Sequence, residues 1–220
     1  AVVDAASDAT FGAVADQTVN VTTTDDDVPG FTIVESDGST EVDESGTTDT
    51  FTIVLDAQPT ADVVLTITSD DTGEATVNGP LTFTSADWDT PQTITVTGVN
   101  DGTLIDGNQD TNVIVSIDDA NSDDGFDALE DQTVIVTTTD DDIPEFTVTE
   151  TDGSTEVAES GTTDTFTVVL DAQPQTDVVM DIATSDSTET AVTSSLTFTT
   201  SDWNVPQTVT VTGVDDFLID

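Results

Sequence analysis

Apolar and polar residues alternate with a period of two through most of this chain. Phe31/Ile33, Phe51/Ile53/Leu55 and Val63/Leu65/Ile67 fall on one face, with Thr, Asp and Ser between them. Leu81/Phe83, Ile94/Val96, Val113/Val115/Ile117 and Val134/Val136 continue the pattern. Such spacing predicts half-buried β-strands, because successive side chains of a strand point to opposite faces. No segment carries a convincing helical period. Seven strands between residues 25 and 139, separated by Gly, Pro and Asp turns, predict an antiparallel β-sandwich of immunoglobulin type.

The pattern repeats. At an offset of 115 residues, ESDGSTEVDESGTTDTFTIVLDAQP (35–59) returns as ETDGSTEVAESGTTDTFTVVLDAQP (150–174). The same offset carries Asp25-Asp26-Asp27 onto Asp140-Asp141-Asp142, Trp88 onto Trp203 and DQTVNV (16–21) onto DQTVIV (131–136). The second copy keeps the apolar set as Phe166/Val168/Leu170, Val178/Met180/Ile182, Leu196/Phe198 and Val209/Val211. Three segments follow: residues 1–24, the closing strands of a preceding truncated repeat; 25–139, a complete repeat; and 140–220, a following repeat without its last strands. The expected architecture is a tandem of all-β, immunoglobulin-like sandwiches of about seven strands each in an extended rod. Neighbouring repeats of the same chain are the expected partners, or identical chains in a fibre that supply the missing strands by strand donation.

Composition narrows the chemistry. Of 220 residues, 47 are Asp or Glu, and there is no Lys, Arg, His, Cys or Tyr. Such a chain cannot neutralise phosphate, so nucleic-acid binding is excluded. It has no Ser–His–Asp or Cys–His centre, no Schiff-base lysine and no imidazole for zinc. No apolar run approaches the roughly 20 residues that span a bilayer, so membrane insertion of this segment is not expected. The acidity does not predict disorder, because 35% of the residues are apolar and Val, Ile, Thr and Phe favour strands. An enzyme is not expected: glycosidase chemistry needs two carboxylates about 5–9.5 Å apart across a sugar cleft, and nothing in a near-perfect repeat indicates one.

Many carboxylates are scattered singly on strand faces, but others cluster where turns converge. The clusters are Asp140-Asp141-Asp142 between repeats, the loop from Asn100-Asp101 through Asp106 to Asp110, and Glu41-Val-Asp43-Glu44. Two carboxylates about 4 Å apart repel by ~4 kcal/mol at an effective dielectric of 20. Against a folded stability of roughly 5–15 kcal/mol, several bare clusters are intolerable. Without basic side chains, the compensation must come from protons, salt or a bound cation, and oxygen-only clusters suit Ca²⁺. Screening by salt alone would not account for three consecutive Asp at each repeat boundary. A further candidate is Asp119-Ala-Asn-Ser-Asp123-Asp-Gly-Phe-Asp127, whose alternating oxygens precede a Gly; its spacing departs from an EF-hand, and an ordinary acidic loop is equally open.

In order along the chain, the Asp run, V-P-G-F (28–31), the E-S-G turn at Glu44, L-T-F (81–83), T-I-T-V-T (93–97) and the acidic loop opening at Asp101 resemble the Calx-beta repeat. That family is found in sodium/calcium exchangers and in large bacterial surface proteins. The resemblance implies calcium at one end of the sandwich, held in the complete repeat by Glu44, Asp101 and Asp140, Asp141 and Asp142, with Asp106 a looser match. In the following repeat it implies Glu159, Asp216 and Asp220. Asp25, Asp26 and Asp27 would close the site of a preceding repeat. A family Asp between the third and fourth strands has no clear counterpart; Asp70, Asp71 or Glu74 could stand in.

These readings converge on a calcium-stabilised structural repeat of an extracellular or cell-surface fibre or giant adhesin stalk, acting as a rigid spacer. Two alternatives stay open: a calcium-sensing regulatory module, and ligand or ice binding on the rows Thr93/Thr95/Thr97 and Thr208/Thr210/Thr212.

Overall fold

A computed structural model describes residues 3–215. In the first repeat the strands run Phe31–Glu35 (β1), Thr40–Asp43 (β2), Thr48–Leu55 (β3), Val63–Ser69 (β4) and Ala75–Val77 (β5). They continue as Leu81–Phe83 (β6), Gln92–Gly98 (β7), Leu104–Ile105 (β8), Gln109–Ile117 (β9) and Gln132–Thr139 (β10). In the second repeat they are Phe146–Glu150 (β11), Thr163–Leu170 (β12), Gln173–Pro174 (β13), Val178–Asp181 (β14), Thr190–Val192 (β15), Ser195–Phe198 (β16) and Gln207–Gly213 (β17).

The first repeat is a β-sandwich. One sheet has the order β1-β3-β7-β5 and the other β2-β10-β9-β4-β6. Inward positions of the two sheets supply the core: Phe51, Ile53, Val63, Leu65, Phe83, Ile94, Val96, Val113 and Val115 are all fully buried. The seven strands predicted from alternation are all present. Three short ones were not legible. β2 offers only Val42 as an apolar inward side chain and β5 only Ala75 and Val77, too few to make a period. β8 exists because the second repeat pairs with it.

The expected all-antiparallel pairing needs one correction. β2 runs parallel to β10, with Thr40 opposite Val136 and Asp43 opposite Thr139. After β1 the chain crosses to the other sheet, lays β2 along β10 in the direction that β10 itself follows, and then returns to pair β3 with β1.

In the second repeat, β11-β12-β17-β15 reproduces the first sheet, with Val168, Leu170, Leu196, Phe198 and Val209 as its buried cluster. The facing sheet has only β14 and β16 among the described residues. Phe146 is therefore 54% exposed where its counterpart Phe31 is 4% exposed. Residues 155–158, which match β2, form no strand. The stretch 16–24 matches β10 and likewise carries none; Val19 and Val21 are exposed there, while Val134 and Val136 are buried in β10. A strand's apolar face is retained only where a sheet receives it. Among the described residues no helix is long and apolar enough to cross a membrane.

Candidate metal centre

The centre lies at the end of the first repeat that faces the second, and three backbone contacts bring it together. The parallel register of β2 and β10 continues past both strands, where the Glu44 N–H donates to the Thr139 carbonyl at 3.1 Å. Glu44 and Asp140, each the first residue beyond its strand, therefore stand side by side. At the end of β7, Gly98 approaches Asp43 so closely that a β-carbon there would overlap the Asp43 backbone. This close approach sets the loop from Val99 to Asp106 against Glu44. The Val99 N–H, in turn, donates to the Glu74 carbonyl at 2.8 Å, which adds Glu74 to the rim.

Two triads of carboxylates result, and they share one residue. Oxygens of Glu44, Asp140 and Asp142 all lie within 4.8 Å of one another, and so do oxygens of Glu44, Asp101 and Asp106. Glu44 is 1% exposed, yet neither of its carboxylate oxygens has a hydrogen-bond donor; buried oxygens of Glu74, Asp106 and Asp142 lack one as well. Burial, then the charges of Asp101, Asp140, Asp106 and Glu74, push the Glu44 carboxyl up to about 7. Burial is also the main cause that raises Glu74, Asp106 and Asp142, again reinforced by neighbouring carboxylates. Buried polar atoms in folded proteins are normally satisfied. An acceptor-only pocket of this kind suits a hard cation, which would supply the missing charge to every orphaned oxygen at once.

The loop around these oxygens is held by its own backbone. Asp140 accepts the N–H of Gly107 at 2.8 Å on one oxygen and that of Asp142 at 2.9 Å on the other. Asn100 accepts the Gly102 N–H at 2.9 Å. Gly102 has φ +106, a left-handed conformation that favours glycine and turns the loop between Asp101 and Asp106.

The structure thus gathers Glu44, Asp101, Asp106, Asp140 and Asp142 of the sequence-derived residues. Asp141 joins neither triad. Asp140 and Asp142 on either side of it are half-buried, while Asp141 is exposed. Asp25, Asp26 and Asp27 are exposed, and Asp25 accepts the Asp27 N–H at 3.1 Å, the same local turn that Asp140 makes. Glu159 is half-buried beside Gly213, which crowds Ala158 as Gly98 crowds Asp43. Asp216 and Asp220 lie outside the described residues.

Asp119 and Asp123 belong to no carboxylate triad among the described residues. Asp123 is instead a loop clamp. It accepts the Thr60 N–H and hydroxyl, both at 2.7 Å, the Ala61 N–H at 2.8 Å and the Gly125 N–H at 2.9 Å. These bonds, the Thr60 hydroxyl foremost, hold its carboxyl down at about 2. Glu74 was only one of three stand-ins in the sequence; its place follows from β5, a strand too short to announce itself. The threonine rows meet further threonines across β3 and β7, Thr50 opposite Thr95 and Thr52 opposite Thr93.

No family model and no curated protein matches the chain. Among solved structures it is similar to the apo form of the Calx CBD1 domain, with 12% identity over 51% of this chain and 98% of that one, at a TM-score of 0.35. It is also similar to calcium binding domain CBD12 of CALX1.1, with 13% identity over 84% and 76% of the two chains, at 0.36. Domains 5–6 of the S-layer protein SbsC give 17% identity over 85% of each chain, at 0.32. All three likenesses are distant.

Proposed function

We propose that this chain is a calcium-stabilised structural segment of an extracellular array, in which the cation sits where one repeat meets the next and stiffens the joint. One observation carries the reading: a buried glutamate, Glu44, has two unsatisfied oxygens and a ring of other carboxylates, in a chain with no basic side chain to neutralise them. Oxygen-only donors in a flexible loop fit Ca²⁺, which takes about 6–8 oxygens. The two triads offer places for two ions, with Glu44 common to both.

The position favours a mechanical role. The loop that supplies Asp101 and Asp106 also supplies β8, which pairs with β13 of the second repeat. Asp140 and Asp142, on the other side of the pocket, begin the second repeat. A cation held by both groups would draw the loop and the junction together, and the joint would stiffen with it. Near-identity of the two repeats favours repetition over sensing, since a sensor gains from unequal sites.

Calorimetric titration of the metal-free chain with calcium, followed by small-angle scattering with calcium and with EDTA, tests this. Heat of binding, a raised melting temperature and a stiffer, longer particle with calcium are expected. A chain that takes up no calcium at millimolar concentration would overturn the metal centre. Uptake with unchanged stiffness would overturn the spacer role alone.

A further inference from the structure

The contact between the two repeats is a template. The Gln173 N–H donates to the Thr103 carbonyl at 2.6 Å, and β8 lies parallel to β13 with Leu104 opposite Gln173 and Ile105 opposite Pro174. Ile105 lines an apolar hollow together with Pro144, Leu170, Ala172 and Pro174 of the second repeat. The receiving backbone is braced from behind. Gln173 donates its side-chain amide to the Thr200 carbonyl at 3.2 Å, and the Leu170 N–H donates to the Trp203 carbonyl at 3.1 Å.

The first repeat carries the matching Ala-Gln-Pro backbone with the same two bracing bonds. Ala57-Gln58-Pro59 are the counterparts of Ala172-Gln173-Pro174. Gln58 donates its side-chain amide to the Ser85 carbonyl at 2.7 Å, and the Leu55 N–H donates to the Trp88 carbonyl at 3.1 Å. What differs is the cover. Gln58 is exposed and Ala57 half-buried, whereas Gln173 is half-buried and Ala172 buried; Pro59, unlike the half-buried Pro174, is already buried, as is Phe126 of the same repeat beside it. A groove runs past this receiver, with Pro29, Pro59 and Phe126 among its apolar walls and Asp25, Asp27 and Asp123 among its polar ones.

We infer that this groove is the seat for the Thr103–Ile105 stretch of another copy of the repeat, docking head to tail as the second repeat docks on the first. The Gln58 N–H takes the carbonyl that Thr103 presents, and the walls at Pro29, Pro59 and Phe126 take the isoleucine side chain. Backbone pairing of this kind supplies attachment, and the side-chain socket supplies register. Asp25 and Asp27 occupy the positions that Asp140 and Asp142 hold at the observed joint, so the incoming acidic loop would meet the same carboxylates. The identity of the occupant rests on the array reading above; the seat itself rests on the correspondence between the two receivers.

The test extends the full chain by one repeat, with a copy of residues 25–139 inserted between Thr24 and the native Asp25, and isotope label confined to the segment from that Asp25 onward. Amide hydrogen exchange is read in calcium for the original and the extended chain. Gln173 is expected to be protected in both. The native Gln58 amide should exchange rapidly in the original chain and be slowed about tenfold or more in the extended one, the protection that a stable backbone bond confers. Ile105→Asp confined to the inserted repeat should return Gln58 to rapid exchange and leave Gln173 protected. Equal exchange of Gln58 in both chains, with Gln173 protected, overturns the seat and leaves the array reading standing. Rapid exchange at Gln173 as well overturns the seat together with the junction on which it is patterned.

Discussion

The Glu44 amide donates to the Thr139 carbonyl, and that bond sets the Glu44 carboxylate beside Asp140 at the end of two parallel strands. Two acidic residues far apart in sequence are thereby fixed within a few ångströms of each other in a buried place. Like charges so placed raise each other's affinity for protons and for metal alike. The consequences are measurable.

The first is an inverted pH dependence of the metal-free chain. The folded-state carboxyl of Glu44 is raised to about 7, so between its ordinary value near 4.5 and 7 the folded state binds more protons than the unfolded chain. Stability should then fall as pH rises through that window, by on the order of 3 kcal/mol from this group. Asp123 acts in the opposite sense: its carboxyl is held at about 2, and its contribution is lost as pH falls from its ordinary value near 3.8 through 2. Melting temperatures in EDTA should therefore peak between about pH 4 and 5. A melting temperature that is the same at pH 5 and pH 7 in EDTA would contradict the buried, unpaired state of Glu44.

Glu44→Gln separates the charge from the shape. The amide keeps the volume and removes one charge from the ring of Asp101, Asp106, Asp140 and Glu74. Without metal at pH 7 this variant should melt higher than the parent chain. Calcium should raise its melting temperature much less, because the side chain common to both triads is now neutral. Differential scanning calorimetry with and without calcium shows both effects. A calcium response equal to that of the parent would remove Glu44 from the site.

Gly98→Ala tests how the site is assembled. The added carbon would fall on the Asp43 backbone, which must move to admit it. Overpacking of this sort costs about 1–3 kcal/mol, here without touching any carboxylate. The expected result is a lower denaturation midpoint together with weaker calcium binding, because β2 and the 99–106 loop can no longer meet as closely. Retained calcium affinity in a destabilised variant would show that the loop closes on Glu44 by another route.

Asp123→Ala should divide the acidic residues into two kinds. Four hydrogen bonds end on this carboxylate, and the loop at Thr60–Ala61 is fastened to Gly125 through it. The variant should melt lower and exchange the amides of Thr60, Ala61 and Gly125 faster, while the calcium isotherm of the Glu44 centre stays as it was. A lost calcium site would return Asp123 to the metal ligands.

Much of the candidate site could be read from the chain alone because turns between alternating strands gather at the ends of a sandwich. Glu44, Asp101, Asp106, Asp140 and Asp142 all sit in such turns. Which acids enter the pocket was less legible. Asp140 and Asp142 enter the pocket and Asp141 stays exposed, but a run of three identical residues carries no mark of which will do so. Glu74 was hidden because β5 is three residues long. Asp123 sat in a pattern of alternating oxygens that suited a cation; in the fold its carboxylate accepts three bonds from Thr60 and Ala61 and one from Gly125 of its own loop.

By itself the sequence determined the seven longer-patterned strands of the first repeat, the repeat and the absence of any basic side chain. Those follow from local alternation, self-similarity and composition, none of which depends on where distant segments go. Only the tertiary structure decided that β2 would lie parallel to β10, that Gly98 would bring a loop onto Glu44, and that Thr103 would face Gln173. Each of these is a contact between segments far apart along the chain. It is settled by which sheet edge is free and how closely two backbones can approach, and no local pattern of residues encodes that.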